Sequence, residues 1–187
     1  MYQGVSERDK NIIAIGSIDR WQGKGFDTLI KIWGKIASLY PDWTLDILGG
    51  GKDANFNYLQ GLAYENNVSN RVQFLGRKEN VAEILKNSSV FVLSSRYEGL
   101  PMALIEAMSQ GCACISFDCP SGPKEIITNN KSGLLVRDQD INGMKEALIS
   151  VIENENLRES LSLAAKKEVQ KFDPDTIVNE WEKLFLS

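Results

Sequence analysis

The sequence predicts an α/β protein built on a Rossmann-like, doubly wound parallel sheet of six strands. Short apolar segments rich in β-branched residues alternate with longer segments whose apolar residues recur at helical spacing. Such alternation is typical of successive βα units, which place helices on both faces of a parallel sheet. The chain has 187 residues, of which 43% are hydrophobic, and it contains no internal repeat or linker-like segment. We therefore expect one domain over residues 1–187.

The first four predicted strands are short runs of apolar and β-forming side chains. They cover residues 11–16, 43–48, 72–76 and 89–93. The helices predicted between them cover residues 26–39, 55–65 and 81–86. Glycine-bearing loops are expected after the first strand, at residues 17–25, and after the second strand, at residues 49–51.

The next predicted element is a helix in which Pro101 occupies the first turn, where a missing N–H has no cost. Two further strands are predicted at residues 113–117 and 133–136. The later helices cover residues 124–127, 142–153, 155–170 and 175–186. Asp138 and Asp140 precede one of these helices, so we interpret them as capping residues rather than as a metal-binding pair.

Composition excludes several kinds of active site. The chain has no histidine, which removes Ser–His and Cys–His catalytic pairs and leaves the three cysteines without a fourth zinc ligand. We interpret Cys112, Cys114 and Cys119 as buried free thiols in a reducing compartment. A Rossmann dehydrogenase is disfavoured because no Gly-x-Gly-x-x-Gly motif follows the first strand.

Charge and hydropathy restrict the partners and the location. The formal net charge is −4 and the pI is about 5.0, which argues against a nucleic-acid partner. No apolar run is long enough to span a membrane, and residues 1–10 are too polar for a signal peptide. We therefore expect a cytoplasmic protein.

The strongest candidate site follows the fourth strand. Glu98 lies in the loop that leaves this strand, and Glu106 lies about a turn and a half inside the next helix. The amides of Gly99 and Leu100, and the first-turn amides beyond Pro101, are expected to point out of the helix start, where anions bind. A carboxylate, free backbone donors and a helix N-terminus at the end of a strand form the usual ligand crevice of an open α/β sheet.

A second group of candidates lies in the loop after the first strand, which faces the same crevice. Arg20 and Lys24 supply positive charge there, and Gly16, Gly23 and Gly25 allow close approach of the backbone to a ligand. An arginine offers a planar fork to phosphate oxygens, and a lysine offers a point charge. The alternative interpretation is a solvated basic loop.

The stretch around the two glutamates resembles a family signature. Glu98 and Glu106 have seven residues between them, within the string Tyr-Glu-Gly-Leu-Pro-Met-Ala-Leu-Ile-Glu-Ala-Met. This string resembles the signature of the retaining glycosyltransferases called group 1, whose GT-B fold has two Rossmann-like halves. The resemblance extends over about residues 12–185 and implies the carboxyl-terminal, donor-binding half of such an enzyme.

The resemblance implies a role for each residue of this stretch. Glu98 would contact the hydroxyls of the donor sugar, and its charge would favour an oxocarbenium-like transition state. Glu106 would accept hydrogen bonds from both ribose hydroxyls. The amides of Gly99 and Leu100, next to Pro101, would hold the sugar or the β-phosphate.

The resemblance also implies a phosphate side of the site. Lys24 would bind the diphosphate, since the family carries a Lys-Gly pair before the helix. Relatives carry an arginine directly after the glycine that corresponds to Gly16, but Ser17 stands here. Arg20 would take the arginine's role if the longer loop folds back. Gly50 belongs to a glycine-rich loop that the family keeps at the rim of the crevice.

Arg77 and Lys78 follow the third strand, where relatives contact the nucleobase. The tryptophans are expected in packing, and Trp21 is the one candidate for a sugar platform. Residues 118–123 resemble members that use galactose-type or N-acetylated galactose donors in surface polysaccharide assembly.

The implied activity is transfer of a sugar from a nucleotide diphosphate, preferably a UDP-sugar, to a saccharide or lipid-linked acceptor with retained configuration. No cofactor and no metal are expected, because cations and helix-end amides stabilise the departing phosphate. We expect the acceptor-binding amino-terminal half to be absent from this chain, to make any peripheral membrane contact, and to be needed for activity. Two alternatives stay open: a non-catalytic nucleotide-binding or scaffold module, and a sugar-nucleotide epimerase or phosphorolytic enzyme of the same architecture.

Overall fold

The computed structural model describes residues 8–186, without the side chains of residues 180, 184 and 186. Residues 1–7, part of the polar start that argued against a signal peptide, lie outside this range. Six strands form one sheet: β1 (Asp9–Ile15), β2 (Thr44–Leu48), β3 (Val72–Gly76), β4 (Ser88–Leu93), β5 (Ala113–Asp118) and β6 (Leu134–Arg137). Every neighbouring pair is parallel, in the order β3-β2-β1-β4-β5-β6. The predicted six-stranded parallel sheet is therefore confirmed.

The strand order reverses at the centre of the sheet, between β1 and β4. Ile12 and Ile13 of β1 pair with Val90 and Phe91 of β4. At such a switch point the loops after the two central strands diverge and leave a crevice at the carboxyl edge. The segments after β1 and β4 therefore flank this crevice.

Helices connect successive strands, and further helices follow β6. They are α1 (Trp21–Lys24), α2 (Phe26–Ile36), α3 (Asp53–Glu65), α4 (Val81–Asn87), α5 (Met102–Gln110), α6 (Pro123–Ile126), α7 (Ile141–Glu153), α8 (Glu155–Glu168) and α9 (Pro174–Leu186). Short 3-10 turns cover Ile18–Arg20, Ala37–Leu39 and Val169–Phe172. Within residues 8–186, no helix has both the length and the apolar composition needed to cross a bilayer.

Each face of the sheet has its own apolar core. Helices α2, α3 and α7 cover one face, where Trp33 and Leu148 are fully buried. Helices α4, α5 and α6 cover the other face, where Phe91 and Leu104 are fully buried. Removal of this apolar surface from water is the main force that holds the helices on the sheet. The doubly wound arrangement is confirmed.

Two local predictions were wrong. Residues 17–25 are not an irregular loop but a 3-10 turn followed by α1, because local bonds such as Gly25 N–H to the Gln22 carbonyl (3.2 Å) close these turns. Pro101 precedes the helix rather than occupying its first turn. The amide of Met102 donates to the Leu100 carbonyl at 2.9 Å, and Pro101 has φ −76° and ψ 83°, the geometry of an inverse γ-turn.

Other local predictions are confirmed. Cys112, Cys114 and Cys119 are buried free thiols, and burial raises the pKa of Cys112 to about 12. Asp140 caps α7, since its carboxylate accepts a hydrogen bond from the amide of Gly143 at 2.9 Å.

Candidate functional site

The centre of the candidate site is a contact between Lys24 and Glu98. The Lys24 ammonium donates to Glu98 Oε1 at 2.8 Å, and the Ser95 hydroxyl donates to the same oxygen at 2.6 Å. Only 20% of the Lys24 side chain and 10% of the Glu98 side chain are exposed. Two residues that are 74 positions apart in the sequence therefore meet where β1 and β4 end.

Gly16 makes room for the Lys24 side chain. A Cβ atom at Gly16 would lie 2.9 Å from Cγ and 3.0 Å from Cδ of Lys24, closer than real Cβ contacts. The aliphatic part of Lys24 therefore lies against the backbone at the end of β1 as it extends to Glu98. The sequence predicts Gly16 as a donor-binding residue, and the structure adds this separate steric reason for a glycine.

The segments after β1 and β4 are also joined by hydrogen bonds to backbone carbonyls. The Ser94 hydroxyl donates to the Lys24 carbonyl at 2.9 Å, and the Arg96 amide donates to the Gly23 carbonyl at 2.9 Å. Gly25 has φ 67°, and a Cβ atom there would overlap the carbonyl oxygen of Ser94. A glycine at position 25 is thus required both by its left-handed backbone and by the neighbouring strand end.

Backbone donors lie beside the pair. Among the described residues, the amides of Gly99 and Leu100 donate to no protein acceptor, and both residues are exposed. The first-turn amide of Met102 was predicted to be free as well, but it donates a hydrogen bond to the Leu100 carbonyl. The free donors next to the start of α5 are therefore fewer than the sequence suggested.

The loop after β5 supports this turn. Gly122 has φ 87°, and a Cβ atom there would lie 2.5 Å from the Gly99 carbonyl oxygen and 2.6 Å from Cδ of Pro101. Cys119 lies buried in the same loop. Its burial, followed by the negative charge of Glu98, raises the pKa of the Cys119 thiol to about 11, so this thiol is protonated at neutral pH.

Glu106, the predicted ribose ligand, lies on the second turn of α5 with its side chain exposed. The helix that carries it begins three residues after Gly99. Among the described residues, no protein donor bonds to its carboxylate. Its acceptor oxygens are therefore open to a ligand.

The segments after β1, β2 and β3 form a continuous rim. The Ile18 amide donates to the Gly50 carbonyl at 2.9 Å, and a Cβ atom at Gly50 would lie 3.5 Å from Cβ of Arg77. Arg77 and Lys78 are exposed directly after β3. Arg20 is exposed on the 3-10 turn after β1, and among the described residues its guanidinium has no hydrogen-bond acceptor.

Asp19 joins this rim to α3. Its carboxylate accepts hydrogen bonds from the Lys52 amide and from the Asn55 side chain, both at 2.8 Å. These bonds lower the pKa of Asp19. The ring of Trp21 stacks on Tyr58, with centroids 4.6 Å apart and an interplanar angle of 28°. Trp21 is thus held against α3, as the packing interpretation of the tryptophans expects.

The site combines features that suit a phosphorylated ligand. Lys24 and the amides of Gly99 and Leu100 can donate to phosphate oxygens, and a carboxylate beside them can accept from hydroxyl groups. The sequence identified Lys24 and Glu98 but not their contact. It also missed Ser95, whose only sequence signal is its position three residues before Glu98 in the loop after a buried strand.

This chain is similar in sequence and in structure to known proteins. The family model described as "Glycosyl transferases group 1" matches residues 3–168. An uncharacterized glycosyltransferase of Haemophilus influenzae is 32% identical over 174 residues, which cover 93% of this chain and 48% of that protein.

A second relative, from Campylobacter jejuni, is 31% identical over 186 residues, which cover 98% of this chain and 48% of that protein. It is the N-acetylgalactosamine-N,N'-diacetylbacillosaminyl-diphospho-undecaprenol 4-alpha-N-acetylgalactosaminyltransferase. The chain thus spans about half the length of these two relatives.

A solved structure has the same fold. A mutant of S. aureus TarM, in complex with fondaparinux, alpha-GlcNAc-glycerol and UDP, matches with a TM-score of 0.85 and 24% identity. The match covers 96% of this chain and 36% of TarM. At this identity, the likeness concerns the fold.

Proposed function

Because this chain belongs to the group 1 glycosyltransferases, we propose that it holds the nucleotide-diphosphate sugar in a retaining sugar-transfer reaction. The observation that carries the proposal is the contact of Lys24 with Glu98 at the switch point of the sheet, next to the amides of Gly99 and Leu100, which donate to no acceptor among the described residues. A cation and amide donors suit a diphosphate, and the adjacent carboxylate suits a sugar.

In the proposed mechanism, the bond between the anomeric carbon and the phosphate oxygen breaks while the acceptor oxygen bonds to the same face of that carbon. Negative charge develops on the departing diphosphate, where Lys24, Arg20 and the two amides stabilise it. The acceptor's proton passes to the departing phosphate oxygen. Glu98 contacts the sugar hydroxyls and favours the positive charge that develops at the ring. We propose that these donors supply the required positive charge without a metal ion.

The remaining donor contacts are assigned by position. Glu106 accepts from both ribose hydroxyls, because its carboxylate is open on the helix that starts beside the diphosphate. Gly16 and Gly50 let the donor approach the backbone at the ends of β1 and β2, and Pro101 shapes the turn that presents the amides. Arg77 and Lys78 border the nucleobase after β3.

We propose UDP as the nucleotide and a galactose-type or N-acetylated galactose unit as the sugar. Two observations support this choice: the name of the C. jejuni relative specifies transfer of N-acetylgalactosamine, and the TarM mutant is in complex with UDP. Residues 118–123, which lie beside Gly99 and Pro101 through Gly122, have the sequence that suggests such donors. The acceptor is then a saccharide or a lipid-linked saccharide of a surface polysaccharide.

Calorimetric titration of the 187-residue chain with UDP, GDP and their sugars tests the proposal. We expect UDP to bind, Lys24→Ala to weaken binding roughly tenfold or more through loss of a charge-assisted bond, and Glu106→Ala to do the same. Glu98→Gln should weaken UDP-sugars more than UDP. Lys35→Ala, which removes an exposed lysine on the distant end of α2, is the matched control. Absence of binding to every nucleotide would contradict the proposal.

A further inference from the structure

We propose that Arg96 and Asp27 form a positioning pair that sets the place of Lys24 relative to Glu98. The inference rests on the proposed function, since it names the residues that keep Lys24 and Glu98 of that same site in place. Neither residue belongs to the sequence-predicted site, and among the described residues neither bonds to the Lys24 ammonium or to the Glu98 carboxylate. Their action is therefore exerted through the backbone.

The guanidinium of Arg96 makes a dense set of contacts across the switch point. It binds both carboxylate oxygens of Asp27, at 2.9 and 2.8 Å, in a parallel fork. It also donates to the Thr28 hydroxyl at 3.1 Å and to the Gln22 carbonyl. The Arg96 amide adds a bond to the Gly23 carbonyl at 2.9 Å. One residue of the β4 segment thus contacts the chain on both sides of Lys24.

The positions of Arg96 and Asp27 in the sequence explain how this pair can affect the placement of Lys24 and Glu98. Arg96 lies directly after Ser95, which bonds to Glu98, and two residues before Glu98 itself. Asp27 lies three residues after Lys24, in the first turn of α2. A change in the Arg96–Asp27 distance therefore moves the two segments that carry the site. Displacements of about 1 Å at an active site can lower activity by roughly a hundredfold.

The contact between Arg96 and Asp27 fixes the two side chains more firmly than an exposed surface ion pair would. Only 16% of the Asp27 side chain is exposed, compared with 36% for Arg96. The hydrogen bonds that Arg96 donates to the Asp27 carboxylate raise the pKa of Arg96. A two-pronged fork fixes orientation as well as distance, which a lysine at this position cannot do. The Arg96→Lys variant keeps the positive charge but loses the two-pronged hydrogen bonding, and so it separates the contribution of charge from that of geometry.

A first test needs no ligand. Nitrogen-15 NMR at low temperature can observe the Lys24 ammonium, whose bond to Glu98 slows proton exchange; the signal is assigned by its loss in Lys24→Ala. We expect Arg96→Ala and Asp27→Asn to lose or broaden this signal while amide signals outside the two segments are unchanged. Arg158→Ala is the matched control, because Arg158 also binds carbonyls and is mostly buried, but on α8. An unchanged Lys24 signal in both variants would overturn the proposal.

A second test measures UDP affinity and thermal unfolding of the same variants. We expect Arg96→Ala, Arg96→Lys and Asp27→Asn each to weaken UDP binding roughly tenfold, and the double variant Arg96→Ala/Asp27→Asn to be no weaker than the worse single one. A purely structural ion pair would lower the unfolding temperature and leave the affinity of the folded protein unchanged, which would overturn the proposal. If Arg96→Ala does not fold, the two conservative variants give the answer.

The two tests separate the two proposals. If the wild-type chain binds no nucleotide, the proposed function fails, but the Lys24 signal still reports whether Arg96 and Asp27 hold the pair. If UDP binds and the Lys24 signal survives in both variants, the proposed function stands and the positioning role falls.

Discussion

At the scale of single residues, the site depends on space as much as on charge. Lys24 reaches Glu98 by lying against Gly16, which has no side chain to displace it. The atoms that a Cβ at Gly16 would meet belong to a flexible side chain and not to backbone. Substitution there should therefore disturb the position of Lys24 more than the stability of the fold.

Gly16→Ala is expected to weaken UDP binding roughly tenfold, because the added methyl moves the Lys24 ammonium away from its place beside Glu98. The unfolding free energy should change by no more than about 1 kcal/mol. The control is Gly61→Ala in α3, where a Cβ meets no heavy atom of the described residues within 4 Å apart from the helix's own backbone and the chain neighbours; it should leave binding unchanged and stabilise the helix by about 0.5–1 kcal/mol. Calorimetry and urea unfolding measure both. Equal affinities for the Gly16→Ala protein and the wild type would contradict the prediction.

Asp46 is a second residue with a clear physical consequence. It is 8% exposed in β2, its Oδ2 accepts from the Asn11 side chain at 2.7 Å, and within the described part of the chain its Oδ1 has no donor. Burial raises the pKa of Asp46, although the hydrogen bond from Asn11 opposes this. The unfolded chain therefore loses this proton at lower pH than the folded protein does.

The raised pKa of Asp46 makes the unfolding free energy depend on pH. As pH rises from about 4 through the raised pKa of the folded state, Asp46 lowers the unfolding free energy, and above that pKa the loss is complete. Asp46→Asn removes the ionisation, so we expect it to gain stability relative to wild type as the pH rises, with the largest gain at pH 7. Urea unfolding at pH 4, 5.5 and 7 measures the difference. A difference that is the same at all three values would refute the assignment.

At the scale of elements, the contact between the β1 and β4 segments depends on one glycine. Gly25 ends α1 in the left-handed region, and its Cβ position coincides with the carbonyl oxygen of Ser94. Because that oxygen is backbone at the end of the central strand, it cannot move without disturbing β4. The short helix that carries Lys24 is thus fixed directly against the strand end.

Gly25→Ala should lower the unfolding free energy by roughly 2 kcal/mol or more, since backbone strain adds to a clash. Gly76→Ala is the matched control: Gly76 has nearly the same φ, 68°, but beyond its chain neighbours no heavy atom of the described residues lies within 4 Å of its Cβ position. It should show only the left-handed penalty of about 1–2 kcal/mol. Chemical unfolding of both variants gives the comparison. Equal losses would mean that the overlap with Ser94 is relieved without cost.

At the scale of the whole molecule, the sheet order decides which residues can cooperate. Strands β1 and β4 are neighbours although two complete βα units lie between them in the sequence. The chain carries a net charge of −4, yet Lys24, Arg20, Arg77 and Lys78 all follow strands at the carboxyl edge. The positive charge is thus placed where an anionic donor would bind.

The proposal assigns donor binding to this chain and acceptor binding to a second half of the protein, and this gives a further prediction. The chain spans about half the length of its two compared relatives, and a sugar-transfer cleft needs an acceptor as well as a donor. We expect residues 1–187 to bind UDP-sugars but to transfer sugar at a rate close to background. Chromatography of the products formed with radiolabelled UDP-sugars and saccharide acceptors measures this. Efficient transfer by this chain alone would show that it contains a complete site.

The sequence by itself determined the fold class and the six strands, and it singled out Lys24 and Glu98, the two candidates that the structure brings into contact. Apolar periodicity reports strands and helices because it reflects which face of each segment is buried, and this is a local property. The glycine and proline pattern around Glu98 likewise identified the loop that carries it. Local errors arose where backbone bonds decided the outcome, as at Pro101, where the Met102 amide turns back to Leu100.

Only the tertiary structure decided which side chains meet. The bond of Lys24 to Glu98 and the fork between Arg96 and Asp27 join segments about 70 residues apart. No local pattern encodes such contacts, because they follow from the placement of β1 beside β4. That placement is set by the burial of both faces of the entire sheet, which no single segment of sequence specifies.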